Sequence, residues 1–119
     1  MVMGEFTQEA DVLVIGSGPG GYAAAFRAAD LGLDVTMVDP GARPGGVCLY
    51  EGCIPSKTFL YLTELIYDAA RAEAMGVSFG KPRIDLKALR TWKAKVIDQM
   101  AKGLVSLNNR RGIQLLKGR

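Results

Sequence analysis

Histidine does not occur anywhere in the 119 residues. Imidazole is the commonest general base and the commonest metal ligand at neutral pH, so its absence excludes Ser-His-Asp hydrolysis, His-paired cysteine proteolysis and His-ligated zinc from what these residues can do by themselves. Cysteine is nearly as scarce. The two present, Cys48 and Cys53, are too few to staple a small secreted protein and point instead to a working thiol pair in a reducing compartment, so a cytoplasmic location is expected. The leading Met1-Val-Met-Gly-Glu-Phe lacks the basic-then-apolar order of a secretion signal. No apolar run approaches the roughly 18 residues of a spanning helix, which predicts no membrane insertion.

Aromatic residues are few, with Trp92 the single tryptophan, and this bears on the charge pattern. Residues 1–80 hold four Lys or Arg against ten acids, whereas residues 81–119 hold eleven against Asp85 and Asp98. A basic half of this kind raises nucleic-acid binding as a class. With one aromatic ring among those charges there is no stacking platform, and the apolar positions recur at helical spacing, so a solvated basic face is the better reading and no nucleic-acid partner is expected.

What is abundant is glycine, fifteen residues, about twice ordinary usage. The length allows one compact unit at most. Asp11-Val-Leu-Val-Ile15 is an uninterrupted apolar run, the pattern of a strand buried on both faces of a parallel sheet. Gly16-Ser-Gly-Pro-Gly-Gly21 follows at once, then an alanine-rich helix from Tyr22 to Leu31 that Gly32 stops, then a second strand, Asp34–Asp39. The fold class is therefore α/β, with a Rossmann-like βαβ unit. After the Pro/Gly-punctuated loop Ala42–Gly46 and the cysteine segment, two long helices are predicted. One runs over Thr58–Met75 with Leu62, Leu65, Ile66 and Ala69 on its apolar face. The other runs from an Asp85 cap to about Asn109, with Leu86, Leu89, Trp92, Val96, Met100, Leu104 and Leu107 as one stripe. A strand begins at Ile113, and this arrangement leaves a parallel sheet few neighbours, so an incomplete domain is the expectation.

Gly16-x-Gly18-x-x-Gly21 stands where a dinucleotide fingerprint must stand, after a strand and opening a helix. Gly16 allows the tight turn, Gly18 lets a pyrophosphate approach the backbone, and Gly21 lets the helix pack close to the strand, while the free N–H groups at the helix start attract phosphate. Asp39 ends the second strand at the distance expected of the acid that accepts hydrogen bonds from an adenosine ribose. FAD and NAD both satisfy this pattern; a 2′-phosphate beside the acid does not.

Cys48 and Cys53 are separated by four residues, which fits neither thioredoxin nor zinc-knuckle spacing, and no metal site is predicted. In an ideal helix such residues lie about 8 to 9 Å apart at Cα, beyond the roughly 7 Å a disulfide tolerates. A bridge therefore requires distortion, for which Gly52 and Pro55 are suited; packed core thiols are the alternative.

Gly45-Gly-Val-Cys-Leu-Tyr-Glu-Gly-Cys-Ile-Pro-Ser-Lys57, at this distance after the glycine fingerprint, resembles the redox-active segment of the flavin-dependent pyridine nucleotide-disulfide oxidoreductases and, among them, most resembles the dihydrolipoamide dehydrogenases. The resemblance implies that Gly16, Gly18 and Gly21 meet the FAD pyrophosphate, that Gly20 and Gly46 also belong to the cofactor site, and that Asp39, where Glu is usual, meets the ribose. It implies that Cys53 is the thiol next to the flavin, Cys48 the interchange thiol, and Lys57 a charge near the flavin N5. Tyr50 stands where asparagine is common, a departure that bears on substrate choice. Mercuric and glutathione reductases share the architecture and are the nearest alternatives; from another class, the alternative is a non-catalytic nucleotide-binding truncation.

Family members are several times longer. The resemblance implies that residues 1–119 are the N-terminal part of an FAD-binding domain, without the NAD domain or the interface domain that supplies a His-Glu pair across a homodimer. The implied activity of the complete protein is oxidation of dihydrolipoamide, with electrons passing through Cys48 and Cys53 to FAD and on to NAD⁺. The implied partner is the lipoyl-bearing protein of a 2-oxo acid dehydrogenase or glycine cleavage complex. These 119 residues alone are expected not to turn over.

Overall fold

The computed structural model describes residues 7–119, so the reading of Met1–Phe6 lies outside the described residues. Strand β1 (Val12–Ile15) runs into helix α1 (Pro19–Asp30), which returns the chain to β2 (Val35–Asp39). Then come α2 (Gly46–Tyr50), α3 (Cys53–Arg71), a 3₁₀ turn over Ala72–Met75, α4 (Leu86–Arg110) and β3 (Gln114–Lys117). The three strands form one sheet in the order β1-β2-β3. Both pairings are parallel, with Val12 opposite Val35 and Met37 opposite Leu115. This is the predicted α/β, Rossmann-like arrangement in partial form.

Where one compact unit was expected, the chain divides into two. The first comprises the residues up to Gly46 with Leu104–Arg119, and the second is Val47–Gly103. The reason is the long helical excursion between β2 and β3, which makes its contacts locally.

In the first unit, α1 begins three residues earlier than its alanine run suggests, because Pro19 occupies the first helical position, where its missing N–H costs nothing and its fixed φ suits the helix. Ala25, Val35, Met37 and Ile113 form the buried core, and Val12, Val14, Tyr22 and Phe26 pack against it. Burying a side chain such as Met37 contributes on the order of 2 kcal/mol. The expectation that β1 is buried on both faces is corrected: Leu13 is 60% and Ile15 81% exposed. Helix α1 covers the face carrying Val12 and Val14, and the opposite face stays open among the described residues. On β2, Thr36 is buried and accepts a hydrogen bond from Gln8 at 3.1 Å.

The C-terminal end of α4 is tied into this unit by Asn108 and Arg111. The buried Asn108 side-chain amide donates to the Ile113 carbonyl at 2.8 Å, closing the turn that launches β3. Arg111 donates to Asp30 at 2.9 Å and lies 4.8 Å from the centroid of the Phe26 ring, joining the ends of α4 and α1.

In the second unit, the helix predicted over Thr58–Met75 starts at Cys53 and stops at Arg71, tightening into the 3₁₀ turn before Gly76 at φ +86°. Leu62, Ile66 and Ala69 are half-buried as expected, but Leu65 is exposed. Asp85 caps α4 as predicted, accepting the N–H groups of Lys87 and Ala88 at 2.8 and 3.0 Å. The stripe read along α4 departs from the buried row. Leu89, Val96 and Leu104 are half-buried, yet Leu86, Trp92, Met100 and Leu107 are exposed, and the buried positions are Ile97, Ala101 and Asn108, each one residue beyond a stripe position. These three positions keep a constant one-residue offset from Val96, Met100 and Leu107, so the buried row is turned by about 100° from that part of the stripe. Among the described residues no helix is long and apolar enough to cross a membrane.

Candidate functional site

In the first unit, β1 delivers the chain into Gly16, whose φ of +94° is open to glycine at no steric cost. The Gly16 N–H donates to the Val38 carbonyl at 2.7 Å, which anchors the turn to β2. Ser17 is fully buried, and its N–H donates to one carboxylate oxygen of Asp39 at 2.7 Å, while the other accepts the Gly41 N–H at 2.7 Å. The Ser17 N–H, outweighing the opposing effect of burial, holds the Asp39 carboxyl below its ordinary range. Asp39 is therefore ionised at neutral pH, and each oxygen keeps acceptor capacity for a ligand hydroxyl.

Helix α1 opens on Gly18 with no side-chain cap, leaving its first amides and the positive end of its dipole to a ligand. A Cβ on Gly21 would stand 1.8 Å from the Gly16 carbonyl oxygen and 3.5 Å from the Val14 side chain, so this glycine is what lets α1 sit on the turn. Gly20 is different, since a Cβ there meets nothing within 4 Å. On the far side of the turn, Gly45 donates to the Ser17 carbonyl at 2.8 Å and Gly46 lies against Gly18. A ridge free of Cβ atoms, an uncapped helix start and an ionised acid at the strand end fit a dinucleotide pyrophosphate and its ribose. Ser17 and Gly41 were not singled out from the sequence as contributors; their part is played by backbone N–H groups, for which an acid at a strand end is the only sequence signal.

In the second unit, the cysteines stand on either side of a break in the helix. Cys48 belongs to α2 and is half-buried, and Cys53 opens α3 and is exposed; neither is in a disulfide. The chain turns at Gly52, at φ −117° and ψ −105°, and its N–H donates to the Val47 carbonyl at 2.7 Å. A Cβ on Gly52 would lie 3.2 Å from that carbonyl oxygen and 3.5 Å from the Cys48 Cα, so a bare α-carbon lets the chain fold back on Cys48. Pro55 sits in the first turn of α3, where no N–H is required. The two thiols are thereby brought within hydrogen-bonding reach, which an unbroken helix does not allow. Their hydrogen bond favours the protonated form of Cys48, and with burial it pushes that thiol above its ordinary value. The nearby Lys57, exposed on α3, pulls weakly the other way.

Residues 10–119 match the family described as pyridine nucleotide-disulphide oxidoreductase. The chain belongs to that family. It is 48% identical over 118 residues to dihydrolipoyl dehydrogenase 3 of Haloarcula marismortui, covering 99% of this chain and 24% of that protein. The dihydrolipoyl dehydrogenase of Buchnera aphidicola from Schizaphis graminum is 44% identical over 93% of this chain and 23% of its own. The corresponding protein of Vibrio parahaemolyticus is 44% identical over 92% of this chain and 23% of its own. The chain thus spans about a quarter of the length of these curated relatives.

Two outcomes follow from this geometry. Gly21→Ala is expected to lower stability by about 2 kcal/mol or more through the clash with the turn, whereas Gly20→Ala is expected to cause no loss. Equal denaturation midpoints for the two variants would contradict that assignment. Alkylation of Cys48 is expected to keep accelerating as pH rises past its ordinary value of 9.0, because the folded environment favours the thiol over the thiolate. Cys53→Ala removes the hydrogen bond and is expected to shift the midpoint of the rate–pH profile downward; an unmoved midpoint would show that Cys53 is not the cause.

Proposed function

We propose that this chain is the FAD-binding and redox-dithiol portion of a dihydrolipoamide dehydrogenase. The observation that carries the proposal is the Gly52 break, which sets Cys48 and Cys53 within hydrogen-bonding reach in a chain that also carries an uncapped dinucleotide turn. The names of the relatives and the family match support it.

The chemistry is thiol–disulfide exchange. With the pair oxidised, one thiolate of dihydrolipoamide attacks Sγ of Cys48; the Cys48–Cys53 bond breaks and Cys53 leaves as a thiolate. The second substrate thiol then attacks the substrate sulfur of the mixed disulfide, closing the lipoamide ring and releasing Cys48. Two electrons now reside on the cysteine pair, and the substrate's two protons pass to a base. Bound FAD would supply the two-electron acceptor that links this dithiol to NAD⁺. Gly16, Gly18 and Gly21 would hold the FAD pyrophosphate, with Gly20 and Gly46 in the same cofactor site, Asp39 would hold the ribose, and the Lys57 charge would favour electron arrival at the flavin.

These 119 residues hold no imidazole to accept the protons and no second glycine fingerprint for NAD, so in this reading both the acid-base partner, across a homodimer, and the NAD site come from outside them. The lipoyl-bearing protein of a 2-oxo acid dehydrogenase or glycine cleavage complex is the partner in a cytoplasmic setting.

Absorbance tests the proposal. Two-electron reduction of the FAD-loaded chain is expected to produce a long-wavelength thiolate-to-flavin band that Cys53→Ser abolishes. Persistence of the band in that variant overturns the role given to Cys53. Steady NADH production from dihydrolipoamide by the 119-residue chain would overturn the division of labour.

A further inference from the structure

The two glycines of the loop before the cysteine helix both meet the Ser17–Gly18 stretch of the dinucleotide turn. Gly45 donates its N–H to the Ser17 carbonyl at 2.8 Å, while the Ser17 N–H is fixed on the Asp39 carboxylate at 2.7 Å. Both polar groups of Ser17's backbone are therefore committed, and Ser17 itself is fully buried. Gly18, the next residue, has a different restraint. A Cβ built on Gly46 would stand 2.7 Å from the Gly18 Cα and 3.3 Å from its backbone nitrogen. Both of those are main-chain atoms, which cannot rotate away as a side chain can. Gly46 also holds φ +61°, in the left-handed region. The reverse contact is relaxed, since a Cβ on Gly18 would lie 3.9 Å from the Gly46 Cα.

We infer that Gly46 is a positioning residue for the dinucleotide turn: its bare α-carbon fixes the path of Gly18 and so the aim of the first amides of α1. The inference rests on the reading of this turn as an FAD site. It gives Gly46 a role different from touching the cofactor. With Ser17 pinned on both sides, a Cβ at position 46 forces the displacement into Gly18, the residue that opens α1. Anion binding by backbone N–H groups needs those groups placed to within about half an ångström, so a small displacement there is felt as lost affinity.

Flavin fluorescence quenching on the 119-residue chain measures FAD affinity directly, and amide exchange of the ligand-free chain reports the Gly45 N–H. Gly46→Ala is expected to weaken FAD binding by about tenfold or more and to accelerate exchange at Gly45. Gly46→Asn, which tolerates the left-handed backbone but carries a Cβ, is expected to do the same. Gly32→Ala is the control, because Gly32 has φ +85° with nothing within 4 Å of its Cβ position, so it carries left-handed strain without a clash. It is expected to leave FAD affinity within about twofold. Unchanged affinity in both Gly46 variants overturns the inference alone. Loss of the folded state in both, with Gly32→Ala still folded, also overturns it, since Gly46 would then carry the fold and not the turn. Failure of the unsubstituted chain to bind FAD overturns the flavin reading and this inference with it.

Discussion

The Asp39 carboxylate is the fixed point around which the first unit is arranged. One oxygen takes the Ser17 N–H and the other the Gly41 N–H, while its own backbone carbonyl accepts the Gly118 N–H at 3.0 Å. A single residue at the end of the central strand thus ties together the glycine turn after β1, the loop after β2 and the exit from β3. Ionised acceptors make stronger hydrogen bonds than neutral ones, and the depressed Asp39 pKa is the same preference seen from the proton's side. The sign is that of a carboxylate whose stabilising effect is present above its unfolded value and lost as the pH falls through the folded one.

The first βαβ unit was legible because each of its parts has a local cause. The apolar runs of β1 and β2, the alanine helix and Gly32 all act through backbone preferences that neighbours do not override, and the Asp85 cap is equally local. Contacts across the chain were not legible. The sequence of β1 is the same whether or not a layer covers Leu13 and Ile15, and the row α4 buries, Ile97, Ala101 and Asn108, is chosen by what packs against the helix and not by its apolar stripe. The approach of Gly46 to Gly18 joins residues almost thirty apart, so nothing local marks it. At the cysteines, spacing established that a regular helix keeps the thiols apart and named Gly52 as a place to break it; only the structure shows the chain turning there.

The basic half of the sequence also reads differently in three dimensions. Arg111 is engaged with Asp30, the Leu107 carbonyl and the face of Phe26, and Lys102 pairs with Asp98 at 2.7 Å. Of these, the half-buried Arg111 is the one that holds elements together, whereas an exposed i,i+4 pair such as Lys102 and Asp98 contributes little.

The parallel pairing of β2 with β3 has a kinetic side. β1 and β2 meet across roughly 20 residues, but Met37 and Leu115 are roughly 80 apart, so closing the second pairing costs about 1 kcal/mol more chain entropy. The helices between them are built from local contacts and need no such closure. The order of assembly that follows is β1-α1-β2 and the helices early, with β3 added last.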